Sequence, residues 1–225
     1  SNNFGIRKNL LEYDQVMNEQ REVIYKERRR VLDGENMRDV IYNMINEDAE
    51  EIIDRNINED AYPSEWDMKA LNQELLDIFP MEKVEVSEDD LKHMSKKDLV
   101  QRVKETVNKL YEAKETEFPE PEMIREAERV ILLKVIDRKW MDHIDDMEQM
   151  RQGIGLRALG QRDPLVEYKF VGFDMFNEMT AGIRQETVKA LLHLRVEQKV
   201  EREEVAKVTG TNKDDSSVKE PVKRK

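Results

Sequence analysis

The sequence predicts an all-α protein with one long helix, a set of shorter helices, an antiparallel two-helix hairpin and a disordered tail. Three observations predict it. Charged residues make up 39% of the 225 residues and leave a formal net charge of −12, a mixture that suits long solvent-facing helices better than a buried sheet. Aromatic residues are only 6%, so the core must be built from aliphatic side chains and methionine. Apolar residues recur three and four apart along most of the chain, the period of a helix and not of a strand.

The first helix is read from Ile6, Leu10, Tyr13, Met17, Ile24 and Val31, with Gly34 as its stop. A second follows through Met37, Val40, Ile41, Met44, Ile45, Ile52, Ile53 and Ile57, until Pro63 interrupts. Ser64 with Asp67 has the spacing of a capping box, with Asp in place of Glu, ahead of a short helix through Leu71, Leu75 and Leu76. Phe79-Pro80 ends that helix, and the alternation in residues 81–86 is too short to claim a strand. Ser87 with Asp90 and Ser95 with Asp98 are two more cap-like pairs. The second opens a helix through Leu99, Val103, Val107 and Leu110. Pro119 and Pro121 break the chain, and Pro121 suits the first turn of a helix that runs to about Gln152 through Ile124, Ala127, Val130, Ile131, Trp140, Met141, Ile144, Met147 and Met150. Asp163 is a good N-cap and Pro164 a good first residue for the last long helix, which carries Tyr168, Val171, Met175, Met179, Ile183, Leu191 and Leu194. The final stretch, 206–225, has almost nothing apolar and is expected to be disordered.

Several function classes are argued against by composition. An acidic chain lacks the basic footprint of general nucleic-acid binding. The absence of cysteine excludes disulfides, thiolate metal sites and a cysteine nucleophile. His93, His143 and His193 are far apart and none sits in a His-Glu-x-x-His pattern, so no metal site is expected. No apolar run approaches the roughly 20 residues that span a bilayer, and no signal peptide is visible. Gly153, Gly155 and Gly160 invite comparison with a phosphate loop. Such a loop needs a strand before it and Lys then Ser or Thr after the last glycine. Here Gln161 and Arg162 follow, so the stretch reads as a helix stop and a reversal into an antiparallel hairpin. With no nucleophile–base pair, metal set or phosphate loop, the chain is not expected to be an enzyme in its own right.

The hairpin and the first helix carry a resemblance. Trp140 and His143, then Met150-Arg151-Gln152-Gly153-Ile154, Leu156-Arg157, Gln161, Asp163-Pro164, Glu167-Tyr168 and Met175-Phe176 look like the two-helix finger of the SecA family, the motor of bacterial preprotein secretion. Ile6-Arg7-Lys8, Leu10-Leu11-Glu12-Tyr13-Asp14, Val16 and Gln20-Arg21 are similar to the start of that family's long scaffold helix. The middle resembles the family's helical wing by position and helical character only. The resemblance implies a scaffold helix over 1–36, a wing over 37–120, a two-helix finger over 121–205 and a tail over 206–225. It further implies a C-terminal piece of the translocase ATPase, without the two nucleotide-binding domains, the preprotein-crosslinking domain or the Cys-rich zinc module. ATP and Mg would then belong to the missing motor domains, and no cofactor to this piece.

The same resemblance assigns roles. Arg157, Ala158, Leu159, Gly160, Gln161 and Arg162 would form a fingertip that meets channel and preprotein, with Leu159 where many members carry tyrosine. Trp140, His143 and Arg151 would pack finger against scaffold and take part in restraining ATP turnover. The implied partners are the SecY channel complex, unfolded preprotein, the motor domains of the same protein, an anionic membrane surface and a second copy in a homodimer, with no nucleic acid. The implied location is the cytoplasm and the cytoplasmic face of the plasma membrane. Two bland readings stand beside these: the basic run at 25–30 as a solvated face, and Met141, Met147, Met150, Met175 and Met179 as adaptable core. Periodicity alone fits a rival equally well, a free-standing helical adaptor that binds partner helices.

Overall fold

A computed structural model describes residues 2–157 and 163–197, and every long element among them is an α-helix. The first, α1, spans Asn2–Leu32. It ends as the sequence indicates: Gly34 takes φ +77°, a left-handed conformation that costs glycine little, and the Gly34 and Glu35 amides donate back to the Val31 and Arg30 carbonyls. Arg129, far along the chain, donates to the Gly34 and Glu35 carbonyls, so the helix end is held from outside as well.

The middle of the chain forms α2 (Arg38–Asn56), α3 (Met68–Ile78), the single turn α4 (Asp90–His93) and α5 (Lys96–Thr116). Ile41, Ile45, Ala49, Ile52 and Ile53 of α2 are buried in one cluster with Leu71 and Leu75 of α3 and Leu99, Val103 and Val107 of α5. The spacing that predicts these helices is therefore the spacing of their buried faces. Ser95 and Asp98 cap α5 reciprocally. The Ser64–Asp67 box does not form. Asp67 is itself the N-cap of α3 and accepts from Ala70 N–H, while residues Pro63–Glu65 make a 3-10 turn. A proline one residue before Ser64 draws that serine into the turn instead.

The hairpin is α6 (Pro121–Arg157) and α7 (Pro164–His193), about 56 Å and 45 Å long at 1.5 Å per residue. Asp163 caps α7 by accepting from Leu165 N–H, with Pro164 in the first turn. The expected stop of α6 near Gln152 is corrected: the helix continues through Gly153 and Gly155 to Arg157. A glycine costs a helix only about 1 kcal/mol. Ile154 between them is buried with Met147 and Tyr168, and that burial outweighs the cost. Helix α1 lies along both arms. One apolar cluster joins Ile24 and Val31 of α1, the middle helices, and Trp140, Ile183 and Leu191 of the hairpin. Residues 158–162 at the reversal and the expected tail, 206–225, lie outside the described residues.

Candidate functional site: a three-helix joint

The side chains singled out on α6 meet α1 and α7 at one level of the hairpin. His143 is buried, and its Nε2–H donates to Gln20 Oε1 of α1 at 2.7 Å. The Gln20 amide nitrogen donates in turn to Gly172 O of α7 at 3.2 Å, which fixes the amide with its oxygen towards His143. The three helices are thus linked by one continuous chain of hydrogen bonds inside an apolar seam. Gly172 permits this closeness: a Cβ there would come within 2.8 Å of Met147 Cε.

Trp140, 6% exposed, stands one turn before His143 with ring centroids 5.6 Å apart, and His143 meets Phe176 of α7 edge-on at 5.9 Å. Arg151 lies two turns beyond, its guanidinium 4.9 Å over the Tyr13 ring of α1, and Tyr13 packs edge-on against Tyr168 of α7 at 4.8 Å. In the other direction Arg28 of α1 binds Asp137 of α6 at 2.7 Å. These contacts run Arg28–Asp137, Gln20–His143, Tyr13–Arg151, so α1 and α6 are antiparallel and in fixed register. The structure brings Trp140, His143 and Arg151 together along one seam. It does not bring the tip group to them. Arg157 is the last residue of α6, and Ala158, Leu159, Gly160, Gln161 and Arg162 fall outside the described residues. Near that end Leu156 is 79% exposed, and Phe4, Leu11 and Phe170 are also exposed.

Burial lowers the His143 pKa below the ordinary 6.5, with Asp146 pulling the other way. A lowered histidine contributes stability in full above the ordinary value and loses it as pH falls through the lowered one. Asp48 and Glu128, both pushed up to about 7 by burial, act in the opposite sense over that range. The histidine is therefore read by difference. His143→Gln is expected to remove an acid-side loss of stability that the parent shows as pH falls through the ordinary histidine value of 6.5 and below it, measured by paired urea titrations. Identical pH profiles would mean that His143 titrates as if in water.

Two further polar clusters fasten the middle helices to the hairpin, and the sequence reading missed both. Asp48 of α2, 1% exposed, binds Arg184 of α7 at 2.6 Å, and Glu47 and Glu51 flank the same guanidinium. Arg125 and Glu128 of α6 pair within the buried seam at 3.1 Å. There Glu128 also accepts from the Tyr111 hydroxyl of α5, and Glu115 of α5 bridges Arg125 to Arg38 of α2. A signal was present. Asp48 interrupts the stripe Ile41, Ile45, Ile52; Glu128 interrupts Ile124, Ile131, Val135; Gln20 interrupts Met17 and Ile24. A polar residue on an apolar stripe must find a buried partner. Among the described residues no helix is long and apolar enough to cross a membrane.

Comparison with known proteins shows the family of this chain. A family model described as the SecA wing and scaffold domain matches residues 1–195. The chain is 64% identical over 223 residues to the protein translocase subunit SecA of Lachnoclostridium phytofermentans, covering 99% of this chain and 26% of that protein. It is 48% identical over 221 residues to the protein translocase subunit SecA 1 of Alkaliphilus metalliredigens, covering 98% of this chain and 25% of the relative. It is 46% identical over 224 residues to the SecA subunit of Clostridium botulinum (strain Okra), covering 99% and 27%. The chain thus spans about a quarter of the length of the curated relatives it matches. A match over nearly all of the chain, by model and by relatives alike, means that this chain belongs to the SecA wing and scaffold domain family.

Proposed function

We propose that this chain is the non-catalytic mechanical segment of a preprotein-translocating ATPase, and that the hairpin of α6 and α7 is its working finger. The observation that supports this reading most is the joint at Gln20, His143 and Gly172. It couples both arms of a rod about 56 Å long to a single scaffold helix. A force applied to α1 then reaches the tip without a flexible link. In this reading the tip, residues 157–162 with the exposed Leu156 beside it, meets the SecY channel complex and the unfolded preprotein. ATP and Mg are held by the motor domains of the same protein. Trp140, His143 and Arg151 set how firmly the finger is held, and through it the motor's turnover.

Lys26 and Arg29 are the two cations of the basic run with no carboxylate partner among the described residues, since Arg28 binds Asp137 and Arg30 binds Glu27 and Glu35. They are the proposed contact with an anionic membrane surface, and the proposed location is the cytoplasm and the cytoplasmic face of that membrane. A homodimer is a further proposed assembly. The test is to add this chain to the N-terminal motor portion of its parent and follow ATP turnover. Turnover is expected to fall, and to fall less with the Trp140→Ala chain. Turnover unaffected by either chain would favour the free-standing adaptor.

A further inference from the structure

Residues 81–86 belong to no helix, yet one side chain treats their backbone as the edge of a sheet. Asn72 of α3 donates its amide to Val84 O at 3.0 Å and accepts Val84 N–H at 2.7 Å. The same amide nitrogen donates to Met68 O at 2.8 Å, which fixes Asn72 on its own helix. Both backbone groups of Val84 therefore point one way, as in a strand and not in a helix. Burial agrees: Val84 and Val86 are half-buried, while Lys83 and Glu85 are exposed.

Peptide geometry then fixes the opposite edge. Each peptide unit is planar and trans, so its N–H and C=O point in opposite directions. The Lys83 carbonyl lies opposite the Val84 N–H, and the Glu85 N–H lies opposite the Val84 carbonyl. Both thus point away from Asn72, and neither has a partner among the described residues. A groove of about 590 Å³, lined by this segment and by Val103 and Leu110 of α5, runs alongside. Arg102, which lines the same groove, is committed to Asp90. Lys83 and Glu85 form no ion pair among the described residues.

An edge that offers one acceptor and one donor, two residues apart, is its own complement. Take a second copy related by a half-turn about an axis through Val84. The Glu85 N–H of each copy meets the Lys83 carbonyl of the other, the two bonds that flank a facing pair in an antiparallel ladder. The same half-turn sets Lys83 opposite Glu85 of the second copy, twice over. Opposite charges facing across a ladder favour it, and like charges oppose it. Moving the axis to Lys83 or to Glu85 sets like against like, as does parallel in-register pairing. Charge and backbone select the same register.

We propose that two copies of this chain associate through residues 82–86, as a two-stranded antiparallel ladder centred on Val84. Two backbone hydrogen bonds and two Lys83–Glu85 ion pairs close it. This gives the proposed homodimer an interface, and it rests on that reading. The contact is isologous: each copy spends its open edge on the other, so growth stops at two. The contact is small, so the association is weak and reversible.

Sedimentation equilibrium of the intact chain tests it. The parent should self-associate. Lys83→Glu and Glu85→Lys should each raise the dissociation constant about tenfold or more, since each turns two opposite-charge pairs into like-charge pairs. The double variant should return to the parental value, and an equimolar mixture of the two single variants should associate as tightly as the parent. Glu85→Pro should abolish association with helix content unchanged by circular dichroism. It removes the donor N–H and leaves Val84 extended, the conformation preferred before proline. Association unchanged in these variants, or restored neither by the double change nor by mixing, overturns the ladder and leaves a homodimer through another face. A parent that stays monomeric up to about 1 mM overturns both.

Discussion

Trp140→Ala is expected to destabilise the chain by about 3–5 kcal/mol, the usual cost of emptying a buried tryptophan site. The estimate rests on where the indole sits. It is 6% exposed, inside the cluster that joins α1, α6 and α7, and it stacks at an angle on His143. The void cannot close cheaply. Drawing α6 towards α1 to fill it would displace His143 from Gln20, leaving two buried polar groups unpaired. Urea denaturation followed by circular dichroism measures the loss, and Trp140→Phe should recover much of it. A loss below about 1 kcal/mol would place Trp140 in the class of tolerant surface sites. In the complete translocase the same change is expected to raise basal ATP turnover, on the proposed role of the joint.

Arg184→Met should be nearly as costly, on the order of 3–5 kcal/mol above neutral pH, because it strands a buried carboxylate. Asp48 is already pushed up to about 7 by burial, and Arg184 is the group that holds it down. A carboxyl whose folded pKa is raised favours the fold at low pH and penalises it as pH rises through that value. Without Arg184 the value climbs further. The variant should therefore recover part of its stability at mildly acid pH, where Asp48 is protonated, and lose it again in alkali. Asp48→Leu combined with Arg184→Met should be far less damaging than Arg184→Met alone, since an apolar pair of similar volume replaces the ion pair. Stability of the single variant that ignores pH would show that Asp48 reaches water.

The local grammar of this fold was legible. Gly34, Ser95 with Asp98, and Asp163-Pro164 mark their helix ends because each acts within a few residues of itself. Two local readings failed for opposite reasons. Ser64 lost its capping role to the proline beside it. Gly153 and Gly155 lost their breaking role to Ile154, whose burial is a tertiary fact that no window around the glycines contains. The joint was half legible. Trp140, His143 and Arg151 were singled out through the resemblance. Gln20, a polar residue on the apolar stripe of Met17 and Ile24, signals a buried partner but not which one, because that partner lies more than a hundred residues away. Arg184 was missed because an arginine on an otherwise ordinary helix becomes informative only once Asp48 is known to be buried opposite it.

The register between α1 and α6 also decides what kind of motion the hairpin can deliver. Arg28–Asp137, Gln20–His143 and Tyr13–Arg151 are three unlike pairs, spread over about 22 Å of helix. A slide of one turn, about 5.4 Å, would mismatch all three together and leave His143 facing no acceptor. A simple apolar seam would slip through many equivalent settings. This one has a single matched setting, like a keyed shaft, and so resists creep along its length. On the proposed role of the hairpin, a stroke would then be a swing of the whole lever, its size set by the length of α6 beyond the key.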